Sequence, residues 1–394
     1  MRKTLLGALL SLLTFLPASV QAAKVDPVFG DTIDRTADDF VTVSLCIADP
    51  TDWRDDALGV VGHAFLRLQC PVFGLDFCFS YEGERVNDNL LRYLSGNTKM
   101  GMFAVPTGEY LQDYRRWNRS VHEYFLAIPA DADIRLWEIM DNHLTKGITL
   151  TQDLNKYGCA ITAVKYVKKS LGQVPIVYAP DEFLDKSTRR EIGYRSLENH
   201  PWLRLTGMIL TDSRYDRECP IDEKLIIPAD VAEVWQKATV NGKQFATYAG
   251  DLVSGAPLDN SKPWLTPMLV AVLMLILTLF FAFTRLPYWD WCMLSLQAIL
   301  GVTIVVLWFI VSSFSLSAYL VMILLNPLPA IFWKWRRYWG IAYSAVLLAG
   351  VVVLALLPHA LVDPALLVLA LSYVILFAKD TVKSFISKRK KRIS

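Results

Sequence analysis

The sequence has little net charge and no paired metal ligands, and long stretches of its last third carry no charge at all. Across 394 residues, 40 Lys and Arg oppose 38 Asp and Glu, for a formal charge of +2. A nucleic-acid partner calls for a basic surface, so this balance argues against nucleic acid. Histidine occurs only five times, and no two His or Cys residues stand at the spacing of a closed zinc site. Neither a metal nor any other cofactor is expected.

The missing charges are informative by position. Residues 263–284 carry none, and the run is long enough to cross a bilayer core of roughly 30 Å. Residues 291–333 carry none either. That is twice the length of one span, with Ser312, Ser313 and Ser315 near the middle where a polar turn fits. Residues 340–361 and 364–378 supply a fourth and a shorter fifth candidate. The expectation is an all-α transmembrane bundle of about five helices over residues 263–379, with a basic tail over residues 380–394. Lys and Arg mark cytoplasmic segments, so Lys334, Arg336, Arg337 and the run Lys388-Arg389-Lys390-Lys391-Arg392 orient the bundle with its C-terminus inside.

The other end of the chain agrees. Residues 1–22 read as a signal peptide, with Arg2 and Lys3 before an apolar stretch and a small-residue site at Val20-Gln21-Ala22. An uncleaved first helix is the alternative, although the apolar run is short for a span. Five spans then place residues 23–262 in the periplasm of a bacterial inner-membrane protein. Within that region, FVTVSLCI at 40–47, residues 62–68 and DFCFSY at 76–81 have the composition of strands. The last two form a hairpin about a turn with Pro71 and Gly74. Helical periodicity is visible at 109–117 and 134–144, and most clearly after Gly158, where Ile161, Val164, Val167 and Leu171 share a face. Strands and helices in separate runs predict an α+β domain. KLIIP at 224–228 reads as a further strand, and 254–262 as a linker.

Cys46, Cys70, Cys78, Cys159 and Cys219 fall in the exported region, and an odd number leaves one thiol over where disulfides form. Cys70 and Cys78 flank the hairpin turn and can face each other. Cys46 and Cys219 can then pair at long range, leaving Cys159, although other connectivities remain open. Cys159 also opens an amphipathic helix, where unpaired N–H groups and the helix dipole favour a thiolate. A thiolate nucleophile needs a base, and the region offers His63, His122, His143 and His200. His63 stands out because it lies on a half-buried strand beside Gly62, which permits close approach of another backbone. His122 begins an apparent strand and is read as structural.

The order of a G-H-x-F-L-R strand (Gly62 to Arg67), an aromatic strand FCFSYEGE, and a Cys opening a helix in NKYGCAITAV resembles the permuted papain-like (NlpC-type) thiol enzymes. It looks closest to the periplasmic domain of Lnb-type bacterial lipoprotein N-acyltransferases. Asn326-Pro327-Leu328-Pro329 resembles the membrane part of the same family. The resemblance implies Cys159 as nucleophile and His63 as general base. Of the hairpin residues Ser80, Glu82 and Glu84, which alternation puts on one face, Glu82 is chosen to orient the imidazole because its charge would stabilise an imidazolium. The likeness departs at Gly158, where such families more often carry Asn, which leaves Asn155 as the nearest amide. The implied function is acyl transfer from a membrane phospholipid, through a Cys159 thioester, to an amine such as a lipoprotein N-terminus. A cysteine peptidase or amidase acting on peptidoglycan, or a non-catalytic envelope assembly module, are the alternatives.

Overall fold

A computed structural model describes residues 42–56, 58–83, 88, 92, 98–151, 158–211, 213–258, 262–284, 288–310, 321–356 and 361–393. The expected signal peptide, Glu84, Asn155 and the turn at residues 312–315 lie outside them.

The N-terminal unit is α+β. Its main sheet consists of β1 Thr42–Ala48, β2 His63–Cys70, β3 Leu75–Gly83, β4 Lys99–Pro106, β5 Val121–Leu126, β6 Thr149–Thr151 and β7 Ala246–Val253. The strands run in the order β7-β5-β1-β2-β3-β4-β6, and all neighbours are antiparallel. The longer helices are α1 Thr107–Arg116, α2 Ala130–Thr145, α3 Cys159–Leu171, α4 Arg189–Ser196, α5 Pro201–Leu210, α6 Pro228–Lys237, α7 Pro267–Phe283, α8 Tyr288–Ile310, α9 Arg336–Leu356 and α10 Pro364–Ile393.

Strands β1 to β3 are rich in Val, Leu, Ile and Phe, which suit a pleated, packed surface. They are buried on both faces because helices cover both. Leu111 and Tyr114 of α1 pack on Cys46, Phe65 and Cys78. On the opposite face, Trp137 of α2, Val164 and Val167 of α3, and Trp235 of α6 pack on Leu45, Leu66 and Phe79. The period-two alternation of a strand separates Phe65 from Leu66 in this way. The β2–β3 hairpin forms as expected, with Cys70 opposite Leu75 and Gly74 in the left-handed region at φ 63°. Residues 224–228, expected as a strand, instead join a short helix Ile221–Lys224 to α6. Pro228 occupies the first turn of α6, where its missing N–H loses no bond, and Leu225 and Ile227 are buried from irregular backbone.

Two polar clusters hold the sheet from within. On the α1 side, Arg67 of β2 grips Asp76 through two hydrogen bonds of 2.7 and 2.6 Å and reaches Glu123 of β5 at 2.9 Å. At the β5 edge, His122 bonds Asp251 of β7 at 2.6 Å and Asp49 at 3.1 Å. Carboxylates accept only, so a ring bonded to both carries a proton on each nitrogen. Burial opposes that charge, but the two carboxylates outweigh it and raise the His122 pKa. The bonds from Tyr248 and His122 lower that of Asp251. The contribution of a raised histidine is fully present below its unfolded value of about 6.5 and is lost as pH rises through its folded value. The Asp251 contribution is present above about 3.9 and is lost as pH falls through its folded value. Thermal midpoints of the full chain in micelles are therefore expected to fall from mildly acidic pH toward pH 8, and His122→Asn is expected to flatten that slope.

The C-terminal helices form a separate apolar cluster. One helical stretch, Tyr288–Leu307, is long and apolar enough to cross a membrane, and shorter apolar helices cover Pro267–Ala282, Val321–Ile331, Tyr338–Val353 and Pro364–Lys379. Their outer surfaces carry exposed Phe280, Ile299, Phe309, Val352 and Leu356. Inside, Asp290 pairs with Lys379. Pro327 lacks the N–H that would bond Ile323 in a continuing helix, and the freed carbonyls find side chains: Tyr343 donates to Ile323 O and Gln297 to Leu324 O at 2.8 Å. α10, expected to end near residue 378, runs on through the basic residues to Ile393.

Helices α4 and α5 seat the sheet domain on this bundle. Met208 is buried among Leu294, Leu324, Trp333 and Phe377. Asp363, before α10, accepts a hydrogen bond from Tyr194 at 2.9 Å, lies 3.7 Å from the Arg204 guanidinium, and caps α10 through the Ala365 N–H at 2.9 Å. Trp202 adds a bond of 2.8 Å to the Leu265 carbonyl.

Candidate thiol site

The fold brings Cys159 and His63 together. Cys159 is the first residue of α3, whose inward face (Ile161, Val164, Val167 and Leu171) is at most 1 % exposed. Each such side chain contributes roughly 1.5–3 kcal/mol on burial, so the position of the helix start is fixed by packing far from the sulfur. His63 is the first residue of β2, opposite Ala48. The preceding Gly62 has φ 89°, and a Cβ there would stand 2.7 Å from the Ala48 carbonyl. Glycine is therefore required for the strand to enter where it does.

The β2–β3 ladder ends at Leu66 and Phe79. Beyond it, the Ala64 and Ala160 N–H groups lie near enough to the Cys159 sulfur to favour its thiolate. Gly158, the N-cap, has no side chain to satisfy the first turn of α3. A Ser or Asp there would occupy those N–H groups, whereas glycine leaves them for the sulfur and for any oxyanion formed on it. This gives a physical role to the residue at which the likeness departs.

Burial alone would raise the Cys159 pKa. The charge and hydrogen bond of His63 and the two backbone N–H groups more than reverse that, and the thiol is held below its ordinary value. Burial likewise disfavours the His63 imidazolium, but Cys159 and, more weakly, Glu82 raise its pKa. Each group thus shifts the other toward its charged form, the sense of a thiolate–imidazolium pair. Burial pushes Cys46, Cys78 and Cys219 up, Cys78 to about 12. All six cysteines are free thiols. The expected disulfides are corrected by the sheet: Cys70 and Cys78 face opposite sides of it, and Cys46 is sealed in the layer under α1 while Cys219 lies half-exposed among the helices. Cys159 is singled out by its surroundings, not by elimination.

The group that holds the imidazole is Ser80, whose Oγ lies 2.8 Å from His63 Nε2, leaving Nδ1 for the sulfur. Glu82, expected in that role, is exposed and accepts a 2.5 Å bond from the Tyr110 hydroxyl. Ser80 also lies near enough to Tyr110 to offset a little of the rise that burial gives the phenol pKa. Ser80 and Tyr110 thus stand between His63 and Glu82. Alternation along the hairpin puts Ser80 and Glu82 on one face, but nothing in the sequence marks Tyr110, which reaches the site from α1. Of the other histidines, His122 is the structural clamp described above, and His143 bonds Tyr81 and Tyr166. Among the described residues no cluster suits a metal ion.

Replacing Ser80 by Ala removes one net hydrogen bond, worth about 1 kcal/mol. Iodoacetamide alkylation of Cys159 is expected to slow by roughly three- to tenfold, with a shifted pH profile. Thermal melting checks that the fold is kept.

No family model, curated protein or solved structure matches the chain.

Proposed function

We propose that this chain is a membrane-bound thiol acyltransferase of the bacterial inner membrane, with its sheet domain in the periplasm and its C-terminus in the cytoplasm. Cys159 takes an acyl chain from a phospholipid and passes it to an amine, such as a lipoprotein N-terminus. The observation that carries the reading is the meeting of Cys159, at a helix start, with His63, each shifting the other toward its charged form, in a domain fastened through α4 and α5 to helices with exposed apolar surfaces. Such surfaces suit lipid better than water. The likeness of the His strand and Cys helix to permuted papain-like acyltransferases points the same way.

The chemistry follows from the pair. The thiolate attacks the ester carbonyl carbon, and the oxyanion meets the free N–H groups of the first turn of α3. The intermediate collapses to a thioester, and the lysolipid alkoxide leaves with the proton of the His63 imidazolium. The neutral imidazole then takes a proton from the incoming amine as it attacks the thioester. An amide forms and the thiolate leaves, restoring the pair.

Intact-mass analysis of the full chain in phospholipid micelles tests this. Wild type should gain one acyl mass that Cys159→Ala never gains, and an amine acceptor should discharge it. Cleavage of muropeptides without an acyl adduct would establish the peptidase instead. A native disulfide at Cys159 would end both enzyme readings and leave an assembly role.

A further inference from the structure

Arg119 stands beside the thiol site with one edge of its guanidinium unpaired. It follows α1 after Asn118, which turns the chain at φ 53°, and its guanidinium lies over the Tyr114 ring at 5.4 Å. Tyr114 stacks on Phe65 at 6.0 Å, and Phe65 lies 6.1 Å from the His63 ring. Nε donates to the carbonyl of Asp49, the residue after Ala48, which faces His63 across the ladder. The guanidinium therefore reaches the catalytic pair by two short routes. Nη2 is buried with no hydrogen-bond partner among the described residues.

Two other arginines with little exposure differ. Arg67 pairs with Asp76 and Glu123, and Arg190 with Asp216, whereas Arg119 has a carbonyl and an aromatic face but no carboxylate partner among the described residues. A buried charge is normally paired. Burial pulls the Arg119 pKa down, an effect that Tyr114, Asp49, Tyr110 and Cys159 only partly offset. The residue is half-buried while Nη2 itself is out of contact with solvent, so a ligand would meet it from within the site. A guanidinium with a free edge suits a phosphate oxygen pair. In a glycerophospholipid only the glycerol backbone separates the phosphate from the acyl esters, so holding the first fixes the second.

We propose that Arg119 receives the phosphate of the acyl donor and so presents the ester carbonyl to Cys159. The assignment rests on the acyl-transfer reading of the site and deepens it by naming a glycerophospholipid, not a neutral glyceride, as donor.

The test uses the full chain in detergent micelles, as wild type, Arg119→Gln and Arg119→Lys. One arm measures iodoacetamide alkylation of Cys159 with added glycerol 3-phosphate, inorganic phosphate or glycerol. The other compares thioester formation from phosphatidylglycerol and from diacylglycerol with the same chains. Glycerol 3-phosphate should protect wild type while glycerol does not, and Arg119→Gln should weaken that protection by roughly ten- to a hundredfold, the range of a charge-assisted hydrogen bond. The phosphatidylglycerol-to-diacylglycerol ratio should exceed ten in wild type and approach one in Arg119→Gln. Arg119→Lys should fall between, as a point charge without the planar fork, and serves as the folded comparator should Arg119→Gln unfold. Equal use of both lipids by wild type overturns the assignment while acyl transfer stands. Inorganic phosphate protecting as well as glycerol 3-phosphate, with no lipid preference, overturns the donor assignment in favour of a free-phosphate site. Arg119-dependent protection without a thioester from either lipid keeps the anion site and removes the acyltransferase.

Discussion

Replacing His63 by Ala is expected to slow acylation of Cys159 by roughly 10²–10⁴-fold, the usual contribution of a positioned acid–base group. The same variant should change the sulfur itself. In wild type, burial works against the thiolate while His63 and the Ala64 and Ala160 N–H groups work for it. Without the imidazolium only the backbone donors remain, so the alkylation profile of Cys159 should move to higher pH. The sign is set by the lowered native value: wild-type thiolate persists as pH falls, and the variant loses it sooner. A rate loss with an unmoved profile would mean that His63 acts on the substrate alone. Cys46 and Cys78 serve as internal controls, since burial holds both as thiols.

Arg67→Ala is expected to cost the sheet domain about 3–5 kcal/mol, the range for breaking a buried pair and leaving its partner charged. The Arg67 side chain is 13 % exposed and that of Glu123 only 7 %, so the stranded carboxylate has little water to turn to. Asp76 also loses its two bonds, although Thr107 still donates to it at 2.6 Å. Against a typical total of 5–15 kcal/mol, such a loss approaches unfolding, and urea titration of the full chain should show a much earlier transition. Arg67→Met with Glu123→Gln should recover part of it, because it removes the two most buried charges and leaves Asp76, whose side chain is 39 % exposed, to Thr107 and water.

The elements nearest the site were the most readable in the sequence. The β2–β3 hairpin and α3 carry strong local signals: β-branched and aromatic runs about Pro71 and Gly74, and an apolar stripe at helical spacing after Gly158. Their ends deliver His63 and Cys159. Less could be read where the decisive contact is tertiary. Extending the β2–β3 register would set Glu82 opposite His63, but the ladder stops at Leu66 and Phe79, and Ser80 takes the imidazole while Tyr110 takes Glu82. Cys159 is unpaired as expected, but the pairing of Cys70 with Cys78 failed because proximity along a hairpin does not decide which face a side chain takes. KLIIP misled because its apolar residues are buried from a helix junction, where Pro228 fits as well as in any turn.

Asp363 serves two ends at once: it caps α10 and anchors Tyr194 beside Arg204. A single carboxylate shared between a helix start and a docked domain leaves little freedom for the domain to tilt or lift. On the proposed acyl-transfer reading, that tether would present the Cys159 sulfur at one height above the bundle. Substrates would be sorted by how far their reactive ester lies from the plane of the bundle, whatever the length of the chain that trails from it.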